Sequence, residues 1–219
     1  MAEGNRPLLL GHRGARAVRS IPENTIESFD RALADGCDGF EFDVRVTADH
    51  VAVVCHDPRF QRVKIATVTA EQVPQLPHLE DVLSRYQERA FLDIELKVGS
   101  LEKITLELLR KYPPKRGFVV SSFLPEVLVA LRENDEHVPL GVICETREEL
   151  RRWKDLPVEY VIPHHKLATE SLIRELKQEE KEVLVWTVNR PIQIERFRKL
   201  GVDGIISDDT KLLRRSMQA

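Results

Sequence analysis

Three short stretches place ionisable side chains where a hydrophobic interior would not keep them without a reason: Gly11-His12-Arg13-Gly14, Glu41-Phe42-Asp43-Val44 and Leu92-Asp93-Ile94-Glu95-Leu96-Lys97. Successive side chains of a strand point to opposite faces. In the third stretch Leu92, Ile94 and Leu96 therefore share an apolar face, and Asp93, Glu95 and Lys97 share the other. In the second, Phe40, Phe42 and Val44 oppose Glu41, Asp43 and Arg45. If both strands lie in one parallel barrel, the charged sets converge inside it. Buried carboxylates are too costly to stand unpaired, so the cluster requires cationic partners or a metal ion. With His12 and His56 nearby, the set matches phosphoryl chemistry. Oxygen donors suit Mg²⁺ or Ca²⁺, Arg13 and Lys97 neutralise phosphate oxygens, and two histidines can divide base and acid roles.

The elements that must hold these residues alternate along the chain. Strands are expected near Pro7–Gly11, Gly39–Val44, Ala90–Leu96, Gly117–Ser121, Pro139–Ile143, Glu159–Ile162, Glu182–Thr187 and Asp203–Ser207. Helices fill the gaps near Thr25–Asp35, Leu79–Glu88, Leu101–Lys111, Pro125–Asn134, Thr146–Leu156, Thr169–Glu179, Pro191–Leu200 and Thr210–Met217. Asn24, with Glu27 three residues on, reads as a capping box opening the first helix. Gly36 and Gly201 read as helix-ending glycines. Eight strand–helix units point to a closed (β/α)8 TIM barrel, with a doubly wound open sheet as the alternative. A chain of 219 residues is shorter than the usual ~250 of this fold, so its loops must be short. The segment Gly36-Cys37-Asp38-Gly39-Phe40 is echoed by Gly201-Val202-Asp203-Gly204-Ile205, two turns of one kind at equivalent places. One interruption breaks the rhythm. Thr47-Ala48-Asp49-His50 reads as a hairpin turn into a strand at Val51–Cys55, followed by a polar stretch from Pro58 to Pro77. No linker divides the chain, so residues 1–219 read as one domain with a short, hairpin-containing insertion after the second strand, about residues 57–78.

In such a barrel the reacting groups come from the C-terminal strand ends and the loops after them. His12 and Arg13 end the first strand, Glu41 and Asp43 the second, Glu95 and Lys97 the third, and His56 returns to the rim on the hairpin. Asp93, one inward position deeper, reads as a residue that holds Arg or Lys in place. His50, His78, His137, His164 and His165 read as structural or surface residues. The net charge of −3 and 32% charged residues give no basic field for nucleic acid. Cys37, Cys55 and Cys144 are odd in number and scattered, which argues against a disulfide framework. No signal-peptide pattern and no apolar run of spanning length is present, so a cytoplasmic protein without stable membrane insertion is expected.

These motifs resemble a known family. Gly11-His12-Arg13-Gly14, Pro22-Glu23-Asn24-Thr25, Glu41-Phe42-Asp43-Val44, Thr47-x-Asp49, His56-Asp57-Pro58 and Leu92-Asp93-Ile94-Glu95-Leu96-Lys97 look like the signature of the glycerophosphodiester phosphodiesterases, which are TIM-barrel hydrolases. Ser121-Ser122-Phe123, Val185-Trp186-Thr187-Val188-Asn189 and Val202-Asp203-Gly204-Ile205-Ile206-Ser207-Asp208 fit as well. The resemblance implies metal-dependent cleavage of a small glycerophosphodiester substrate into an alcohol and glycerol 3-phosphate. It implies Glu41, Asp43 and Glu95 as ligands of Mg²⁺ or Ca²⁺, and His12 and His56 as the acid/base pair. Arg13 and Lys97 correspond to the phosphate-holding cations, and Trp186 to an aromatic that walls the glycerol. The family's favoured scheme uses the substrate's own 2-hydroxyl as nucleophile and passes through a cyclic phosphate. Related barrel enzymes acting on lysophospholipids or sphingomyelin-like lipids are an alternative, and a non-catalytic phosphodiester-binding barrel is a more distant one. One departure stands out. Pro58-Arg59-Phe60-Gln61-Arg62-Val63 passes almost directly to Thr67-Val68-Thr69, and Leu76-Pro77-His78-Leu79 stands where the family has Ile-Pro-Thr-Leu. The abbreviated insertion implies an open, permissive leaving-group side.

Overall fold

The structure, a computed structural model, describes residues 6–217. The elements run β1 (Leu8–His12), α1 (Ile26–Ala34), β2 (Gly39–Val46), β3 (Ala52–Val54), β4 (Arg59–Phe60), β5 (Val63–Lys64), α2 (Leu79–Tyr86), β6 (Phe91–Leu96), α3 (Glu102–Lys111) and β7 (Phe118–Ser122). They continue with α4 (Pro125–Asn134), β8 (Leu140–Cys144), α5 (Arg147–Arg151), β9 (Tyr160–Pro163), α6 (Glu170–Gln178), β10 (Glu182–Val185), α7 (Pro191–Leu200), β11 (Gly204–Ser207) and α8 (Thr210–Ser216). Strands β1, β2 and β6 to β11 pair in parallel in that order, and β1 pairs with both β11 and β2, which closes the barrel. This is the (β/α)8 arrangement that the alternation implied, and closure excludes the open sheet. Strand β3 adds antiparallel to the end of β2, and β4 and β5 form a separate small hairpin. Among the described residues no helix is long and apolar enough to cross a membrane.

The period-2 pattern of the strands divides the apolar residues between two layers. Leu9, Phe40, Phe42, Leu92, Ile94 and Leu96 face outward and pack against the helices. There the Phe29 ring of α1 stacks on Phe40 with centroids 4.2 Å apart. Burying one such aromatic side chain stabilises the fold by about 1.5–3 kcal/mol. Leu10, Phe91, Val119, Ile143, Ile162, Leu184 and Ile206 face inward and fill the barrel. A satellite cluster of Val53, Cys55, Ile65, Val73 and Leu76 supports the insertion.

Three local readings change. The helix expected over Thr146–Leu156 is split: α5 ends at Arg151 and a 3₁₀ turn takes Arg152–Asp155. Strand β10 stops at Val185, so Trp186 lies just beyond the strand and bridges to His164. The α1 cap is Thr25, whose hydroxyl accepts from Ser28 N, and not Asn24. Asn24 instead adopts φ 58° and turns its amide into the barrel mouth. The glycine echo has a physical basis. Gly36 and Gly201 both have positive φ, and the aspartate two residues on accepts a strand amide in each case: Leu9 N to Asp38 at 2.9 Å and Val183 N to Asp203 at 2.6 Å.

Candidate active site

The three charged stretches converge at the C-terminal mouth of the barrel because β1, β2 and β6 are neighbours in register. His12 pairs with Glu41, Glu41 with Asp93, and Asp43 with Glu95. After β1 the backbone turns sharply. Arg13 has φ 51° and Gly14 φ 82°, and a Cβ at Gly14 would lie 2.4 Å from Ser28 Oγ. Only glycine fits there. The turn aims the Arg13 N–H at Glu41 Oε2, 2.9 Å away, and sends its guanidinium to Glu23 Oε1 at 2.7 Å.

Glu41, Asp43 and Glu95 each present a carboxylate oxygen within 4.8 Å of the others, and all three are buried. Asp43 is the best compensated. It accepts from Asn24 Nδ2 at 2.8 Å and lies 3.3 Å from both Arg13 Nε and Lys97 Nζ. Burial would raise its pKa, but Lys97, Arg13 and Asn24 outweigh burial and hold it below the ordinary carboxylate value. Glu41 is pushed well up, by burial first and then by the charges of Asp43 and Glu95. Glu95 rises to about 7 from burial and Asp43, although Lys97 Nζ is only 2.6 Å away. That contact is an ion pair without hydrogen-bond direction. Glu41 Oε1, Asp43 Oδ1 and Glu95 Oε1 are all buried without a hydrogen-bond partner among the described residues. Three hard oxygen donors, mutually close and with Lys97 as the ammonium shared by two of them, fit a divalent cation of the Mg²⁺ or Ca²⁺ kind.

Two histidines flank this cluster. His12 Nδ1 lies 2.6 Å from Asp208 Oδ1, and Asp208 Oδ2 accepts from Asn189 Nδ2 at 2.6 Å. Its other ring nitrogen points to Glu41 Oε2 at 3.8 Å. His56 follows β3, with Nδ1 2.8 Å from Asp57 Oδ1, while Arg45 Nε donates to its backbone carbonyl at 2.8 Å. Burial lowers the His56 pKa, assisted by Arg13 and Lys97 and opposed by Asp43 and Asp57.

A cavity of about 330 Å³ joins the parts, with His12, Arg13, Glu41, His56, Glu95 and Lys97 on one side and Phe123, Ile143, Ile162, Trp186 and Ile206 on the other. Trp186 is fixed by a hydrogen bond from Nε1 to the Ile162 carbonyl at 2.9 Å and by the edge of Phe123, 5.7 Å away. The eight residues singled out from the sequence are thus brought to one mouth. Asp93 departs from its expected use. Among the described residues it pairs with no cation, and its Oδ1 accepts from Ser121 Oγ at 2.6 Å.

The sequence profile of the Glycerophosphoryl diester phosphodiesterase family matches residues 12–212, nearly the whole chain and every residue just described. The chain belongs to this family. Its relatives include the glycerophosphodiester phosphodiesterase of Caldanaerobacter subterraneus subsp. tengcongensis, 28% identical, with 95% of this chain and 96% of that protein covered. The glycerophosphodiester phosphodiesterase of Bacillus altitudinis is also 28% identical, covering 91% of this chain and 94% of that protein. Among solved structures, the glycerophosphodiester phosphodiesterase of Thermotoga maritima superposes with a TM-score of 0.84 at 24% identity, over 96% of this chain and 98% of that one. An Oleispira antarctica phosphodiesterase, solved with the product sn-glycerol-3-phosphate, gives 0.84 at 22% identity, over 98% of both chains. These likenesses at low identity carry the family's fold.

Sequence reasoning left several site residues without their part. Asp208 stood inside a quoted motif yet was not connected to His12. Asn24 was given to the helix. Glu23 went unassigned, although it binds Arg13 and also Arg16 at 2.6 Å. Glu145 lines the cavity and carried no local signal.

Proposed function

We propose that this chain hydrolyses glycerophosphodiesters, small water-soluble substrates, to an alcohol and glycerol 3-phosphate, with Mg²⁺ or Ca²⁺ held by Glu41, Asp43 and Glu95. One observation carries the reading: two carboxylate-backed histidines face a single cavity lined also by Glu41, Glu95, Arg13 and Lys97, with Asp43 completing the carboxylate cluster. Family membership and the relatives named glycerophosphodiester phosphodiesterase support it. The cation, when bound, supplies charge stabilisation to the phosphoryl oxygens, commonly the largest catalytic contribution. Arg13 and Lys97 add fixed positive charge on the same oxygens and orient the phosphate. Ionised Asp208 can only accept, so the proton of neutral His12 resides on Nδ1 and Nε2 is left as the basic atom. His56 lines the same cavity, half-exposed, where it can exchange a proton with the other oxygen of the diester. The scheme uses the hydroxyl next to the phosphorylated carbon as the first nucleophile, giving a cyclic phosphate that water opens, with the two histidines exchanging roles between steps. Trp186 borders the glycerol. The reading takes the chain as one cytoplasmic catalytic domain.

The test is a substrate panel. Glycerophosphocholine, glycerophosphoethanolamine, glycerophosphoglycerol and a lysophosphatidylcholine are each incubated with purified protein and the products quantified. Release of glycerol 3-phosphate from the first three is expected. Turnover of the lysolipid alone would reject the substrate class, and turnover of none would reject the enzyme reading.

A further inference from the structure

Asp93 is a buried carboxyl that the mechanism above does not use. It is 1% exposed, its Oδ1 is taken by Ser121, and its Oδ2 has no hydrogen-bond partner among the described residues. It also lines the catalytic cavity, as do Ile143, Ile162 and Ile206. An orphaned buried carboxylate oxygen is costly and calls for a partner. Among the described residues no cation pairs with it: Lys97 and Arg13 are engaged by Glu95, Asp43 and Glu23. The cavity above it has two unlike walls. The charged wall suits the phosphate, and the isoleucine wall suits C–H surface. In register, Asp93 sits between Glu41 and Val119, one inward step below Glu95, and beneath it the barrel is closed by Leu10, Phe91 and Leu184.

A glycerol phosphate with its phosphate against Arg13 and Lys97 can lay its carbon chain along the isoleucines toward this floor. Resting on the reading of the chain as a glycerophosphodiesterase, we propose that Asp93 Oδ2 hydrogen-bonds the free terminal hydroxyl of the substrate's glycerol and so selects unacylated glycerol over its acylated or deoxy counterparts. An acyl ester at that carbon would have to pass through the closed floor. The terminal hydroxyl is distinct from the one next to the phosphorylated carbon, so this recognition is separable from the choice of nucleophile.

The discriminating substrate is 1,2-propanediol 1-phosphoethanolamine, which keeps the vicinal hydroxyl and lacks only the terminal one. Wild-type protein should prefer glycerophosphoethanolamine by about 10²-fold or more in kcat/KM, because a site built to bind a hydroxyl leaves its own polar group unpaired when that hydroxyl is missing. Asp93→Leu should abolish the preference by lowering the glycerol diester to the propanediol level. Asp93→Asn, which keeps the Ser121 contact, should retain part of it and unfold at a temperature close to wild type. A further readout needs no variant: glycerol 3-phosphate should inhibit the wild type at least about tenfold more strongly than propanediol phosphate. Equal rates and equal inhibition for the two ligand types, or an undiminished preference in Asp93→Leu, would overturn the assignment. Hydrolysis of neither diester would instead overturn the phosphodiesterase reading beneath it.

Discussion

His12 Nδ1 and Asp208 Oδ1, 196 residues apart in sequence, meet at 2.6 Å where the first and last barrel strands close on each other. Burial would raise the Asp208 pKa, but hydrogen bonds from His12 and Asn189 and the nearby Arg16 bring it down to about 2. The carboxylate therefore stays ionised over the working pH range and fixes the His12 tautomer. Asp208→Asn, whose amide can donate to the ring, should lower kcat by about 10²-fold or more with a much smaller change in KM. Steady-state kinetics on a folded variant decide this, and a near-normal kcat would remove Asp208 from the mechanism.

Each histidine should matter separately. His12→Ala and His56→Ala should each reduce kcat by about 10² or more, the usual scale for one general acid or base. A substrate with a nitrophenol leaving group needs little protonation and should partly rescue the variant that lacks the acid. Comparing the two variants on activated and ordinary diesters reads this directly; equal loss on both substrates for both variants would mean that neither histidine serves the leaving group.

The acidic cluster has a stability signature. Glu95 and Asp93 have folded-state pKa values raised to about 7, from ordinary values of 4.5 and 3.8. Native protein then binds protons more tightly than unfolded chain. Their contribution favours the fold fully below about pH 4 and is lost as pH rises through about 7. Metal-stripped protein should thus melt at a lower temperature at pH 8 than at pH 6, and saturating Mg²⁺ or Ca²⁺ should recover much of the difference at pH 8. Thermal unfolding at both pH values, with and without cation, measures it. An unchanged pH dependence on adding cation would count against binding at this cluster.

Glu41 and Asp43 should part company on substitution. Asp43 compensates Arg13 and Lys97, so Asp43→Ala leaves two part-buried cations without a partner and should lower the melting temperature. Glu41 carries the stronger uncompensated burial, so Glu41→Gln should hold or raise the melting temperature of stripped protein while abolishing turnover. Melting curves and activity together check both halves.

The nucleophile has its own test. A 2-deoxy diester lacking the hydroxyl next to the phosphorylated carbon should be cleaved very poorly, since the intramolecular attack and its proximity advantage are both gone. Comparable rates for the two substrates, with no cyclic phosphate trapped, would favour direct attack by water.

The barrel was legible because its signals are local. Alternation of Phe40, Phe42 and Val44 with Glu41 and Asp43 fixes both faces of one strand, and the glycines at 36 and 201 end helices by their own backbone preference. The metal-like carboxylates were legible for the same reason, since three polar residues at strand ends must face the barrel mouth. What stayed hidden was pairwise contact. Nothing near Asp208 says that closure of the barrel delivers it to His12. Asn24 obeys a capping pattern that Thr25 satisfies one residue later, which frees its amide for Asp43. Asp93 shares a face with Lys97, yet two inward steps along a strand carry it too deep to reach that ammonium.

The most direct measurement follows glycerophosphoethanolamine by phosphorus NMR with metal-stripped protein, before and after Mg²⁺ or Ca²⁺ is added. The diester resonance should stay unchanged until the cation is present and then give way to glycerol 3-phosphate, a conversion that excess EDTA halts. Full conversion in excess EDTA, or none with either cation, would contradict metal-dependent hydrolysis.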